Sequence, residues 1–152
     1  MVSLGHSEIA ASVTNTYNYN RRPQGRSERA MGDEKPRILC VEDEPECCNM
    51  LRVILPKYEI IPAASQAEAV KLAREFKFAI IFMDYWLSDG TGEHACREIR
   101  YFDQTTPILF ITGSVAFSET KARALGAQGT LKKGSPTFIE ELQSRTADLA
   151  LS

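Results

Sequence analysis

Ile80 to Gly92, IIFMDYWLSDGTG, is the stretch that settles the fold. Its first four residues are apolar and β-prone, with none of the polar alternation of a half-exposed strand, and the run stops at Asp84. A short apolar run bounded by an acidic residue fits a strand buried on both faces. From about Thr91 to Tyr101 the spacing turns helical, with Ala95 and Ile99 on the buried side. A buried strand followed by a helix is the repeating unit of a parallel sheet.

The same unit recurs on either side. Short runs rich in Ile, Leu and Phe at Arg37–Glu42, Tyr58–Ala63, Phe78–Met83, Pro107–Thr112 and Gln128–Leu131 predict five strands. Between the first two, Cys47, Leu51 and Ile54 share a helical face. Between the next two, Ala69, Ala73 and Phe76 do so, behind the capping box Ser65-Gln66-Ala67-Glu68. A fourth helix is expected from near Ser118 to Gly126, a C-terminal glycine. The last takes Ser135 as N-cap and Pro136 at N1, with Ile139, Leu142, Thr146 and Leu149 as its apolar face. The fold class is therefore α/β, a doubly wound five-stranded parallel sheet of (βα)5 type. Such sheets bind ligands at the carboxyl ends of their strands, beside the topological switch point.

Those ends carry chemistry. The first strand ends in Glu42-Asp43-Glu44, the third in Asp84, the fourth in Thr112-Gly113-Ser114 and the fifth in Lys132-Lys133-Gly134. Singly, each has an ordinary explanation: acidic residues after a strand form turns or cap helices, Thr112 ends its strand, and Lys133 is a solvated lysine. Together, four strands bring carboxylates, a hydroxyl and an ammonium to one edge. Clustered carboxylates stay ionised only with a cation among them, and Mg2+ takes hard oxygen ligands while leaving room for phosphate oxygens. Lys133 and Thr112 would clamp a phosphoryl group, and an aspartate nucleophile such as Asp84 would carry it as an acyl phosphate.

With ILCVEDE (38–44), IIFMDYWLSDGTG (80–92), PILFITG (107–113) and GAQGTLKK (126–133) in this order, the chain resembles the response-regulator receiver domain of two-component systems. The resemblance runs from about Arg37 to Leu151 and implies a flavodoxin-like receiver fold over 36–152, following an arm over 1–35. It implies Asp84 as phosphoacceptor, Asp43 as a direct Mg2+ ligand, Glu42 as a neighbour acting through water, and the Trp86 carbonyl as a third ligand. It makes Thr112 and Lys133 the residues that hold the phosphoryl group. It also implies a sensor histidine kinase or histidine phosphotransfer protein as donor, and it admits a homodimer. Output is expected to pass to a downstream protein target through the face of the fourth helix, fifth strand and fifth helix, since no helix-turn-helix follows Lys133. Three positions depart from the pattern. Thr130 stands where receivers usually carry an aromatic switch residue. Gly134-Ser135 separate Lys133 from Pro136, so no cis bond is expected. Ser88 replaces a common proline.

Two other functions compete. A haloacid-dehalogenase-type phosphatase also uses Asp, Thr, Lys and Mg2+, but its D-x-D ends the first strand, whereas Trp86 lies two residues after Asp84. The second is a receiver-fold scaffold that works without phosphorylation. An enzymatic role is not expected.

The remaining sequence sets bounds. A chain of 152 residues, 43% hydrophobic and 25% charged, holds one ordinary domain. A net charge of −2 offers no general pull on nucleic acid or anionic membrane. No apolar run approaches the roughly 18 residues of a membrane span, and no basic and apolar leader opens the chain, so a cytoplasmic location is expected. Residues 11–30 are rich in Asn, Ser, Thr and Arg, and read as a disordered arm. Tyr17, Tyr19, Arg21 and Arg22 in it read as solvated rather than as a docking motif, and Met31 is an alternative natural start. His94 on the third helix is too far from the strand ends to act as a phosphodonor, and His6 lies in the arm, so internal histidine phosphotransfer is not expected. Cys40, Cys47, Cys48 and Cys96 have neither zinc nor disulfide spacing, and are expected to be buried and reduced.

Overall fold

Alternation along the first strand sorts the core into two layers. In the computed structural model, which describes residues 34–150, the elements in chain order are β1 (Arg37–Val41), α1 (Pro45–Ile54), β2 (Glu59–Ala63), α2 (Gln66–Glu75), β3 (Ile80–Met83), β4 (Trp86–Leu87), β5 (Gly90–Thr91), α3 (Gly92–Phe102), β6 (Ile108–Thr112), α4 (Glu119–Ala124), β7 (Gly129–Lys132) and α5 (Phe138–Ala150). The expected arm, with His6, Tyr17, Tyr19, Arg21, Arg22 and Met31, lies outside the described residues. One cluster joins Ile38, Cys40, Ile60, Ile80, Phe82, Leu109, Ile111 and Leu131 of the sheet to Cys48, Leu51, Phe138 and Leu142 of α1 and α5. The residues of opposite parity, among them Leu39, Val41, Ile81, Met83 and Phe110, are also fully buried, on the side of α2, α3 and α4. No helix among the described residues is long and apolar enough to cross a membrane.

The main sheet runs β2-β1-β3-β6-β7, and every pairing is parallel. The sheet is doubly wound as expected, and its order reverses between β1 and β3, which places a crevice at their carboxyl ends. Register then does the positioning. Val41 pairs with Met83, so the next residues, Glu42 and Asp84, emerge side by side. Thr112 pairs with Lys132, so Lys133 follows one step beyond.

Local chemistry fixes the helix ends. The Ser65, Thr91 and Ser118 hydroxyls accept hydrogen bonds from the third amide of α2, α3 and α4 respectively. Glu68 reaches back to the Ala64 amide. Gly126 follows α4 with φ +88, the left-handed conformation that ends a helix. Gly92 opens α3 because only a glycine fits: a Cβ there would lie 2.0 Å from the Asp84 carbonyl oxygen.

Several expectations need correction. Four strands contract, leaving Glu42, Tyr58, Phe78, Ala79 and Pro107 just outside them, and the fifth shifts by one residue to Gly129–Lys132. Helix α5 starts at Phe138 rather than after Ser135, because Ser135 N–H bonds the Lys132 carbonyl and Phe138 N–H bonds the Ser135 carbonyl, making two turns first. Its buried face accordingly begins with Phe138, and Ile139 is 49% exposed. Cys47, Ile54 and Phe76 are half-buried, with Cys48 and Leu72 occupying the core positions beside them. The antiparallel β4–β5 ribbon has no counterpart among the expected elements.

Candidate functional site

Glu42 begins the loop after β1, and its side chain turns inward, 5% exposed, while Asp43 points outward. Asp84 leaves β3 with its amide bonded to the Val41 carbonyl at 2.9 Å, which locks the two loops together. As a result, one oxygen each from Glu42, Asp43 and Asp84 lies within 4.8 Å of the others. Asp84 Oδ1 accepts the Tyr85 N–H at 2.8 Å, and Glu42 Oε1 accepts the Glu44 N–H at 3.3 Å.

Lys133 closes the cluster. Its Nζ donates to Glu42 Oε2 at 2.7 Å and lies 3.6 Å from Asp84 Oδ2. Its amide bonds the Thr112 carbonyl at 3.0 Å, which holds the fourth and fifth loops at one level. Burial works against the Lys133 charge, but the bond to Glu42 and the charges of Asp84 and Glu42 outweigh it and raise the Lys133 pKa. Burial pushes Glu42 up to about 7; Lys133 pulls it back and the Asp84 charge adds to the rise. One ammonium faces three carboxylates. Three carboxylate oxygens within 4.8 Å of one another form a hard-oxygen donor set of the kind that suits Mg2+.

Thr112 is buried at the end of β6, and its Oγ1 accepts the Ser114 N–H at 3.1 Å. Trp86 lies at the start of β4 and is 62% exposed. The structure brings Glu42, Asp43, Asp84 and Lys133 together, with Thr112 on the adjoining strand end. Lys132 is exposed and borders a cavity of about 170 Å3 with Thr112, Ser114, Val115, Phe117, Thr130 and Leu131. Thr130 thus leaves open space behind Thr112. Next to it, Tyr85 packs on Phe117 at 4.8 Å between ring centroids, and Phe117 packs on Phe110 at 4.5 Å. His94 is exposed and paired with Glu98 on the surface of α3.

Sequence reasoning missed two positioning residues. Gly92 lets the first turn of α3 approach Asp84. Asp89, in the ribbon loop, accepts the Gln66 and Ala67 N–H groups at 2.8 and 3.1 Å and so caps α2 from 22 and 23 residues away. Those bonds hold the Asp89 carboxyl below its ordinary range. The pair Asp89-Gly90 was the available turn signal.

A family model, the response regulator receiver domain, matches residues 38–147. The regulatory protein YvrH of Bacillus subtilis is 31% identical over 104 residues, 66% of this chain and 44% of that protein. The cell cycle response regulator CtrA of Brucella ovis is 27% identical, over 72% of this chain and 47% of that protein. The chain spans under half the length of these relatives. Among solved structures, the receiver domain of the sensor histidine kinase PA1611 of Pseudomonas aeruginosa, with a magnesium ion in its active-site cleft, superposes with TM-score 0.68. It is 27% identical and covers 78% of this chain and all of that one. The response regulator TrrA of Thermotoga maritima, in complex with Mg2+ and BeF, gives TM-score 0.67 at 24% identity over 75% of this chain and 98% of that one.

Proposed function

The chain belongs to the response regulator receiver domain family, and from that premise we propose that it takes a phosphoryl group onto Asp84, with Mg2+ held by Glu42, Asp43, Asp84 and the Trp86 carbonyl. The observation that carries this is the convergence of three carboxylates and Lys133 on one sheet edge. The donor is the phosphohistidine of a sensor histidine kinase or phosphotransfer protein. Its P–N bond breaks as an Asp84 oxygen bonds to phosphorus, and the imidazole leaves. The Tyr85 N–H holds Asp84 Oδ1, while Lys133 faces Oδ2 and is placed to turn from Glu42 to a phosphoryl oxygen. The Thr112 hydroxyl takes another oxygen and carries the change into the loop behind it. Bound Mg2+ supplies charge neutralisation for the phosphoryl oxygens.

The family acts in signalling and not as enzymes in their own right. We assign output to a downstream protein, in the cytoplasm, through the face of α4, β7 and α5. Thr130 favours a second reading, a scaffold indifferent to phosphorylation, because the switch aromatic is missing.

The deciding experiment treats the protein with acetyl phosphate and Mg2+ and reads its intact mass beside Asp84→Asn. A phosphate-sized gain in wild type that is absent in the variant and absent without Mg2+ is expected. Folded protein that gains nothing would overturn the phosphoacceptor reading and favour the scaffold.

A further inference from the structure

Three of the four cysteines fall in one strand–helix unit. Cys40 is in β1, and Cys47 and Cys48 are in the first turn of α1. Strand alternation turns Cys40 toward α1, where Cys48 meets it: the Cys48 thiol lies 2.9 Å from Cys40 Sγ and 3.8 Å from the Cys40 carbonyl oxygen. A disulfide bond is about 2.05 Å long, so closing one here asks the sulfurs to move together by less than about an ångström. Cys47, the residue before Cys48 in that turn, lies close enough to Cys40 to act on its ionisation, raising the Cys40 thiol while its own is lowered. Access divides them. Cys40 and Cys48 are each 2% exposed, while Cys47 is only half-buried. Cys96 is isolated on α3, bonded to the Leu125 carbonyl at 3.7 Å, and burial pushes its thiol up to about 11. The signalling reading gives the three thiols no task.

We propose that Cys40, Cys47 and Cys48 form a thiol oxidation site, in which a peroxide attacks the less buried Cys47 and Cys40 closes an intramolecular disulfide. In the first step the Cys47 sulfur takes one peroxide oxygen. The O–O bond breaks, Cys47 becomes a sulfenic acid, and the other oxygen leaves as water or an alcohol carrying the thiol proton. In the second step Cys40 sulfur attacks Cys47 sulfur, the S–O bond breaks, and hydroxide leaves as water with the Cys40 proton. Two thiols have then given up two electrons to the peroxide. Cys48, against Cys40, exchanges with Cys47, so Cys40 is in the bond whichever partner holds it. Cytosolic disulfides are commonly of this transient, sensing kind. The bond ties the first turn of α1 to β1 two residues before Glu42, beside the site described above. No step uses Asp84, so the proposal stands or falls apart from phosphoryl transfer.

The test treats reduced full-length protein with equimolar hydrogen peroxide, quenches it, unfolds it and alkylates the remaining thiols. Alkylatable thiols should fall from four to two, with peptides showing Cys40 joined to Cys47 or Cys48, and dithiothreitol should restore all four. Cys96→Ala should behave as wild type. Cys40→Ala should form no disulfide and should leave Cys47 as a sulfenic acid that dimedone traps. Because Cys40 is buried, Cys47→Ser serves as the variant safe for folding, and it should slow disulfide formation at least tenfold. Four free thiols after treatment, a bond between two molecules, or first reaction at Cys96 would each overturn the proposal.

Discussion

Replacing Gly92 by alanine sets two ordinary rules against each other. Gly92 is the first residue of α3, and on helix propensity alone the change would stabilise by up to about 1 kcal/mol. The structure demands the opposite. The new Cβ would lie 2.0 Å from the Asp84 carbonyl oxygen and 2.8 Å from Met83 Cγ, and Cβ contacts below 3.0 Å do not occur. The gap from 2.0 to 3.0 Å means a backbone displacement of at least 1.0 Å. Little can yield, because the Gly92 N–H bonds the Tyr85 carbonyl at 2.7 Å and Asp84 N–H bonds Val41 at 2.9 Å. Overpacking of side chains costs about 1–3 kcal/mol, and with backbone as the obstacle we expect the upper end, about 3 kcal/mol. A shift of about 1 Å at a reacting group can cost about 100-fold in rate, so phosphoryl acceptance by Asp84 should fall by a similar factor. Gly113→Ala is the control, since nothing lies within 4 Å of a Cβ there. Urea unfolding would read the stability, and intact mass after acetyl phosphate the acceptance. A G92A protein as stable as wild type, or a G113A protein equally damaged, would refute the reasoning.

Three further predictions concern the rest of the fold. Thr146 is fully buried, and its hydroxyl has no hydrogen-bond partner; Thr146→Val should therefore raise stability by about 1 kcal/mol in urea unfolding, and a loss would show a hidden partner. Asp103 accepts the Thr105 and Thr106 N–H groups at 3.0 Å and the Thr106 hydroxyl at 2.5 Å. Burial opposes its charge, but these bonds hold its carboxyl down to about 2 from an ordinary 3.8. A lowered folded pKa stabilises above the ordinary value and is lost as pH falls through the folded one. Discounted for partial exposure, Asp103→Ala should cost about 1–2 kcal/mol at pH 7, a gap that closes between about pH 4 and 2; a gap independent of pH would sink this account. Thr130→Tyr should place its ring in the cavity of about 170 Å3 and change stability by less than about 1 kcal/mol, so a larger loss in thermal unfolding would mean the space is not available.

How far the sequence carried the reading depended on distance along the chain. The runs IIFM and ILFI declared themselves central strands because burial on both faces leaves no polar alternation, and they are central. Ser65, Thr91 and Ser118 sit where caps and helix starts were expected, since their bonds span only three residues. The clustering of Glu42, Asp84 and Lys133 followed from strand ends alone, because parallel register aligns them. Contacts made across the chain were not legible. Nothing near Asp89 in sequence tells that it caps α2, and nothing near Gly92 reveals the Asp84 carbonyl above it. At α5, Phe138 and Ile139 both fit a helical face, and the turns through Ser135 decided between them. Cys40, Cys48 and Cys96 are free and buried as expected, but their spacing gave no sign that Cys40 and Cys48 meet.

Asp89 also sets where this protein can be cut and recombined. Its carboxylate accepts hydrogen bonds from the first two amides of α2, and the space a side chain at Gly90 would occupy is filled by Gln66, 2.3 Å from a Cβ placed there. The segment after Asp84 is therefore not a self-contained cassette. A chimera that imports residues 85–91 from a relative inherits half of a joint whose other half is the opening turn of α2, and the two must travel together.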